Sequence, residues 1–262
     1  MQLSTISRYP LKSGRGQSLP EASVGAIGID GDRVWMLIDA SGNMLTGREH
    51  PKLVLVDVRA DTQGATFSAD GQPSLRVRTS TFIAEQPCEV WKSRFPALRG
   101  DALADAWFSD YLGVPCSLLY IGDVPGRRRL TGEPDIPLSF ADGYPLLLIG
   151  QGSLDDLNSR LTRAVPMASF RPNLVVAGAE PFAEDQWRQL RIGEVLFDFA
   201  KPCTRCIFTT VDPERGEKSS DREPLLTLAR YRRFKIGTCF GVNMIVRRGG
   251  QLRVDELVEV LA

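Results

Sequence analysis

The sequence predicts a mainly β protein with some helices, of the α+β class, whose core is a β-barrel preceded by a second β-rich unit. Three observations lead there. Runs of aliphatic and β-branched residues recur from Arg33 to Val260, whereas only three segments have helical spacing. Strands with few intervening helices favour an antiparallel core over a doubly wound sheet. The chain has 262 residues, 43% of them hydrophobic and 24% charged, enough for one large domain or two modest ones with a real core.

The elements follow in order. Arg33-Val34-Trp35-Met36-Leu37-Ile38 reads as a strand, Ala40–Asn43 as a turn, and Met44-Leu45-Thr46 as its hairpin partner. Leu53–Val58 is a further strand and Leu75–Arg78 a shorter one. Asp101–Leu112 reads as a helix with Leu103, Trp107 and Tyr111 on one face and Gly113 as its stop. Pro125–Pro137 is a charged, turn-rich connector, and the helix with that connector divides the chain into units 1–118 and 119–262. A second helix starts near Ser153, with Ser153 and Asp156 at capping-box spacing and Leu154, Leu157 and Leu161 along one face. Strands then return at Leu174–Val176, Leu190–Phe199, Cys206–Val211, Val242–Val246 and Leu252–Val260, interrupted by a helix near Pro224–Phe234.

Composition excludes several functions. Thirty-two basic residues balance thirty-two acidic ones, which argues against a nucleic-acid polymer or an anionic membrane as the main partner while leaving room for a local anion pocket. The N-terminus lacks a secretory pattern and no apolar run approaches a membrane span, so the cytoplasm is the expected compartment. Cys88, Cys116, Cys203, Cys206 and Cys239 are odd in number, which favours reduced thiols. His50 is the sole histidine, so a multi-histidine metal site is excluded, and it reads as a surface residue. The run Arg127-Arg128-Arg129 reads as a solvated loop, with a substrate or partner patch as the alternative.

Chemistry concentrates in Lys201-Pro202-Cys203-Thr204-Arg205-Cys206-Ile207-Phe208-Thr209-Thr210-Val211-Asp212-Pro213. A CxxC pair admits three ordinary readings: half of a structural zinc site, a redox pair opening a helix, or two cysteines buried for packing. Arg205 between the thiols changes their weight, because a cation stabilises a thiolate and makes it a better soft-metal ligand.

This run resembles the signature of the MOSC domain, in the branch similar to the mitochondrial amidoxime-reducing component and its bacterial relatives. Tyr9-Pro10-Leu11-Lys12-Ser13, Gly31-Asp32-Arg33-Val34-Trp35, Phe170-Arg171-Pro172-Asn173, and Glu223-Pro224-Leu225 with Tyr231-Arg232 match further motifs in the same order. The resemblance implies the molybdenum cofactor, with Cys206 as catalytic residue and metal ligand and Cys203 as a packing neighbour. It implies that Lys12, Ser13, Arg33, Arg171, Asn173, Thr204, Arg205 and Asn243 contact that cofactor, arginine forks being suited to phosphate and pterin edges. Without the motif, Lys12 reads as a solvated lysine, Arg33 and Arg171 as ion-pair members, and Asn173 as a turn cap. Pyridoxal phosphate binding is a further property the resemblance carries. Two departures bear on the pocket: Asp142-Gly143-Tyr144-Pro145 stands where relatives have small hydroxyl residues, and Asn243 stands where they have a tyrosine.

The implied activity is reduction of small N-hydroxylated compounds to amines. A plant-type ferredoxin spacing is missing, so the electrons would come from a separate partner, a flavoprotein or a ferredoxin-like protein. The alternative is a cofactor or sulfur carrier without turnover.

Overall fold

In the computed structural model, which describes residues 1–123, 125–129 and 135–261, strands dominate and three α-helices are present among the described residues. The largest sheet runs in the order Gln17–Leu19, Gln2–Arg8, Leu174–Ala177, Leu146–Gly150, Gly237–Arg248, Val195–Thr204, Gln189–Ile192, Val258–Val260. Its ends meet: Leu3 N donates to Glu256 O at 2.9 Å and Val258 N donates to Met1 O at 3.1 Å, closing the sheet into a barrel. Closure satisfies backbone groups that an open edge would leave unpaired. Leu3, Ile6, Leu148, Leu174, Phe197 and Val242 fill the interior and are fully buried, each worth about 2–3 kcal/mol of apolar burial.

Strands Gln2–Arg8 and Gln17–Leu19 of the N-terminal half are part of this sheet, and Ala22, Val24 and Ile29 pack on its core. Gln2–Arg8 pairs with Leu174–Ala177, and Glu21–Gly25 pairs with Gly250–Arg253. The rest of that half forms a four-stranded sheet (Trp35–Ile38, Ser117–Tyr120, Ser93–Arg99, Ala84–Val90) and a three-stranded one (Asp57–Asp61, Gly64–Ser68, Leu75–Arg78). Between them Trp35 meets Phe67 and Phe82 edge-on at 5.7 and 5.0 Å, and Phe67 meets Phe108 at 5.2 Å.

The α+β expectation matches this architecture, and several local expectations do not. Helix α1 (Ala102–Leu112) is capped by Asp101, whose carboxylate accepts from Leu103 N, and stops at left-handed Gly113. Its buried face is Ala104, Trp107 and Phe108, while Leu103 faces solvent. Helix α2 (Gln151–Ser159) starts earlier than expected and Ser153 does not cap it. Ser153 is buried inside the helix and donates its hydroxyl to Glu184 at 2.7 Å. Leu53–Leu55 belongs to a short 3-10 turn (Pro51–Leu55) rather than a strand. Leu190–Phe199 is two antiparallel strands joined at Gly193–Glu194, and Leu252–Val260 divides into Gly250–Arg253 and Val258–Val260. Helix α3 (Leu225–Tyr231) ends before Phe234, which lies in a hairpin strand. Of the connector, residues 130–134 lie outside the described residues; Arg128–Arg129 pairs with Ile136–Pro137.

Gly241 shows how tightly the barrel is packed. Its φ is +72°, and an added Cβ would lie 2.6 Å from Ile149 Cγ1 and 2.7 Å from Leu148 O. We expect Gly241→Ala to cost about 2–4 kcal/mol, because both the conformation and the backbone contact resist a side chain. Urea unfolding measures this, and a loss below about 1 kcal/mol would mean that the strand relaxes freely.

Candidate functional site

The first strand ends at Arg8, and the chain turns through Tyr9–Ser13 against the turn at Gly31–Trp35. The two segments are zipped by backbone bonds: Arg33 N to Tyr9 O at 2.8 Å, Trp35 N to Pro10 O at 3.0 Å, and Lys12 N to Trp35 O at 2.8 Å. Asp32 Oδ1 accepts from Tyr9 N at 2.8 Å. Ser13, Arg33 and Arg171 all have left-handed backbones, at φ of 66°, 52° and 56°. Three such non-glycine residues at one place mark a site whose geometry is imposed by its surroundings.

Arg33 and Arg171 lie on the Tyr9 ring, with guanidinium carbons 4.6 and 4.2 Å from its centroid. Arg33 donates to Asp32 Oδ2 at 2.5 Å, Asn173 Oδ1 at 3.1 Å and Arg171 O at 3.3 Å. Asn173 is buried, accepts also from Leu147 N, and donates to Ser7 O at 3.2 Å. Arg171 donates to Gly14 O at 2.6 Å, yet its Nη2 is buried without a partner, as is Nε of Arg205. Burial lowers the Arg171 pKa to about 10, helped by repulsion from Arg33.

The strand Val195–Thr204 brings the cysteine motif to this place. Cys206–Val211 was expected to continue extended, but Ile207–Thr210 forms a 3-10 turn instead. The Thr209 and Thr210 hydroxyls donate back to Cys206 O at 2.9 Å and Ile207 O at 2.8 Å, which captures the chain in a turn. Both thiols reach the recess and are half-buried. Cys203 packs against the apolar cluster around Phe170 and Phe240 and accepts from Arg205 Nη1 at 3.0 Å. Arg205 Nη2 meanwhile donates to Phe170 O at 2.6 Å. Cys206 instead faces Arg48, whose Nε lies 3.2 Å from its Sγ.

Arg48 was not singled out in the sequence. It comes from the N-terminal half and stacks on Trp91 at 4.0 Å. Gly47 permits the approach, since a Cβ there would sit 2.3 Å from the Phe208 ring. Trp91 Nε1 donates to Asp142 Oδ1 at 2.9 Å, and Lys12 Nζ donates to the same oxygen at 2.5 Å and to Phe140 O at 2.9 Å. Burial lowers the Lys12 pKa against the pull of Asp142. Burial pushes the Asp142 carboxyl upward, but Lys12, Trp91 and Arg48 outweigh it and hold it well below the usual carboxylate range. The carboxylate is open to the recess yet ringed by protein.

The arginine run behaves differently from its expectation. Arg127 is buried and donates to Ser139 O at 2.8 Å, Asp142 O at 3.1 Å and the Ala141 carbonyl, bracing the loop that presents Asp142. Arg129 lies 4.3 Å over Tyr144 and donates to Gly143 O, whereas Arg128 is exposed and pairs with Asp135.

Lys12, Ser13, Arg33, Arg171, Asn173, Thr204, Arg205 and Cys206 therefore line one recess, with Arg48, Trp91, Asp142, Gly143 and Tyr144. Asn243 is not among its lining residues. It lies opposite Leu147 and Lys201 in the sheet, its amide directed at Lys201 O and Pro202 O. His50 is half-buried and also outside the lining. Lys12, the one lysine in the lining, is engaged by Asp142, which gives no support to a pyridoxal phosphate site. Among the described residues no three His, Cys, Asp or Glu side chains form a metal cage, so a metal on Cys206 would take its other donors from a non-protein group.

The structure thus presents a half-buried thiol in a cation-lined recess at the side of a closed barrel. Residues 135–259 match the MOSC domain and residues 1–115 the MOSC N-terminal beta barrel domain. The chain is 33% identical over 284 residues to mitochondrial amidoxime-reducing component 1 of Homo sapiens, covering 99% of this chain and 84% of that protein. It is 31% identical to mitochondrial amidoxime reducing component 2 of Bos taurus, covering 98% and 83%. It is 33% identical to molybdenum cofactor sulfurase of Oryza sativa subsp. japonica, covering 92% of this chain and 32% of that protein. The chain belongs to the MOSC family.

Removing the Asp142 charge tests the recess itself. Asp142→Asn leaves Lys12 buried without its counter-ion and should cost about 1–2 kcal/mol at pH 7, a modest loss because the carboxylate is itself wet. The lowered Asp142 pKa contributes stability that is complete above the ordinary aspartate value and is lost as pH falls through the folded value. The gap between wild type and variant should therefore shrink in acid. Denaturant unfolding at pH 7 and pH 3 checks this; an equal gap at both would sink the assignment.

Proposed function

We propose that the protein is a molybdenum-cofactor-dependent reductase of N-hydroxylated compounds, and that it takes its electrons from a separate protein. One observation carries this reading: the Cys206 thiol opens into a recess walled by Lys12, Arg33, Arg48, Arg171 and Arg205, two of whose guanidinium groups keep buried, unpartnered N–H donors. Those donors suit the phosphate and pterin edges of the cofactor, and the thiol suits its metal. The recess encloses about 150 Å³, less than a typical ligand pocket, so its residues would hold only part of such a cofactor. The names of the relatives, two of them amidoxime-reducing components, support the same substrate class.

When bound, the cofactor supplies the two-electron redox centre. The chain does the rest. Cys206 would supply the protein sulfur to the metal and Arg171 and Arg205 would hold the anionic part, while Arg33, braced by Asn173, keeps Arg171 in place through its carbonyl. Asp142 stays ionised at neutral pH and offers its oxygen as acceptor to a substrate N–H, which orients the N–O bond in the recess. Overall, an N-hydroxylated substrate with two electrons and two protons gives the amine and water.

A second reading is carriage of the cofactor, or of sulfur on Cys206, without turnover, which the similarity to a molybdenum cofactor sulfurase favours. One experiment separates the two. Protein purified from cofactor-producing cells is assayed for molybdenum, then given reduced methyl viologen and benzamidoxime. Metal-dependent benzamidine formation is the expected result, and bound cofactor without product would replace the first reading by the second. Cys206→Ala should lower molybdenum content at least about tenfold, matching the loss of a direct metal ligand, whereas Cys203→Ala should keep most of it. Full occupancy in Cys206→Ala would refute the ligand assignment.

A further inference from the structure

We propose that the hairpin Arg233–Ile236, with the adjoining outer face of α3, is the docking surface for an acidic iron–sulfur electron donor; this rests on the reductase reading above. Arg233, Phe234, Lys235 and Ile236 are four consecutive exposed residues. Phe234 pairs with Gly237, so Lys235 and Ile236 form the tip. Ile236 is 53% exposed, and Leu226 on α3 is 42% exposed. Arg230 lies one helical turn beyond Leu226 on the same face. The apolar tip is held out rather than folded in. Arg232 lies 5.0 Å beneath the Phe234 ring and is itself buried, paired with Asp185 at 2.5 Å.

Charge selects the partner. The segment from Leu225 to Val254 contains no Asp or Glu, although the whole chain is balanced. Within it Arg232, Arg247 and Arg253 are paired with acids from elsewhere. Arg230, Arg233 and Lys235 are exposed and make no ion pair among the described residues; Arg233 and Lys235 alternate with Phe234 and Ile236 along the hairpin, and Arg230 shares the α3 face of Leu226. An apolar centre with a basic rim complements an apolar patch with an acidic rim.

Position selects the role. The strand that leaves the hairpin carries Thr238, whose carbonyl accepts from Arg205 N at 2.8 Å, and Cys239, which pairs with Thr204. Thr204 is exposed at the mouth of the recess and Cys206 follows Arg205. A donor seated on the tip thus sits against the wall that carries the proposed metal ligand, where a short path favours electron transfer. Two successive one-electron deliveries from a reduced [2Fe–2S] protein, with two protons from solvent, balance reduction of one N-hydroxylated substrate to amine and water.

The test uses an acidic plant-type ferredoxin kept reduced by its NADPH-dependent reductase, with benzamidoxime as substrate. The double variant Arg233→Glu, Lys235→Glu should raise the KM for ferredoxin at least about tenfold at low salt, and added salt should raise the wild-type KM but not that of the variant. Turnover driven by reduced methyl viologen, which needs no docking, should stay within about twofold and reports an intact site. An unchanged ferredoxin KM in the variant, or no ferredoxin-driven turnover by wild type that turns over with viologen, overturns the docking surface and leaves the reductase reading standing. No viologen-driven turnover by wild type overturns both. Binding to phosphatidylglycerol–phosphatidylcholine vesicles that the variant loses, with ferredoxin kinetics unchanged, would assign the tip to a membrane surface and overturn the proposal.

Discussion

The largely buried Arg33 guanidinium is the constraint on which the recess depends. A buried cation is tolerated only when its N–H groups find acceptors, and Arg33 finds them in Asp32, Asn173 and the Arg171 carbonyl. Those three acceptors come from two distant segments, so satisfying one side chain fixes the Gly31–Trp35 turn against the Phe170–Asn173 turn. Asn173 then extends the lattice, because its oxygen also takes Leu147 N and its amide reaches Ser7 O. The first strand, the strand Leu146–Gly150 and both turns are joined through one carboxamide. Arg171 is left with an N–H that no described residue satisfies, and a buried, unspent donor suits the anion site proposed above.

The fold class was legible because it depends on periodicity, which survives in the sequence. The start and stop of α1 were equally legible, since Asp101 and Gly113 act within one turn of the helix they bound. Failures arose where a residue's partner lies elsewhere in the chain. Ser153 has the spacing of a cap, but Glu184, buried beside it, takes its hydroxyl. Arg127 belongs to a charged run, but three carbonyls of the following loop draw it inside. The β-branched run after Cys206 looks extended, yet the threonine hydroxyls in it bond three residues back and bend it into a turn. The pairing of Gln2–Arg8 and Glu21–Gly25 with strands of the C-terminal half left no local trace, because strand pairing across the chain has no short-range signature.

The candidate site divides along the same line. Its motif residues were recognisable because each motif is contiguous, and the structure gathers Lys12, Ser13, Arg33, Arg171, Asn173, Thr204, Arg205 and Cys206 around one recess. Arg48, Trp91 and Asp142 are no less central to its geometry. Arg48 nonetheless sits in an ordinary loop sequence and meets Cys206 from 158 positions away. Spacing alone left the two cysteines of the motif equivalent. Their neighbours distinguish them: the Cys203 sulfur packs on an apolar cluster beside Arg205 of its own motif, and the Cys206 sulfur is met by Arg48 from the opposite half of the chain. Asn243 illustrates the converse, a position transferred by motif whose amide is directed at backbone carbonyls within the sheet.

A balanced chain can still build a strong local field when it spends its acids unevenly. Several arginines on the outside of the barrel are matched locally, as in Arg247 with Asp198, Arg191 with Glu259 and Arg253 with Glu21. Around the recess the cations Lys12, Arg33, Arg48, Arg171 and Arg205 have, among the described residues, Asp32 and Asp142 to answer them. Asp32 is consumed in holding Arg33, and Asp142 in holding Lys12. The residual positive potential lies where low-polarity walls screen it least, directly beside the Cys206 sulfur. Neutrality of the whole and positivity of the site are thus one arrangement of the same charges, and the formal sum conveys only the first.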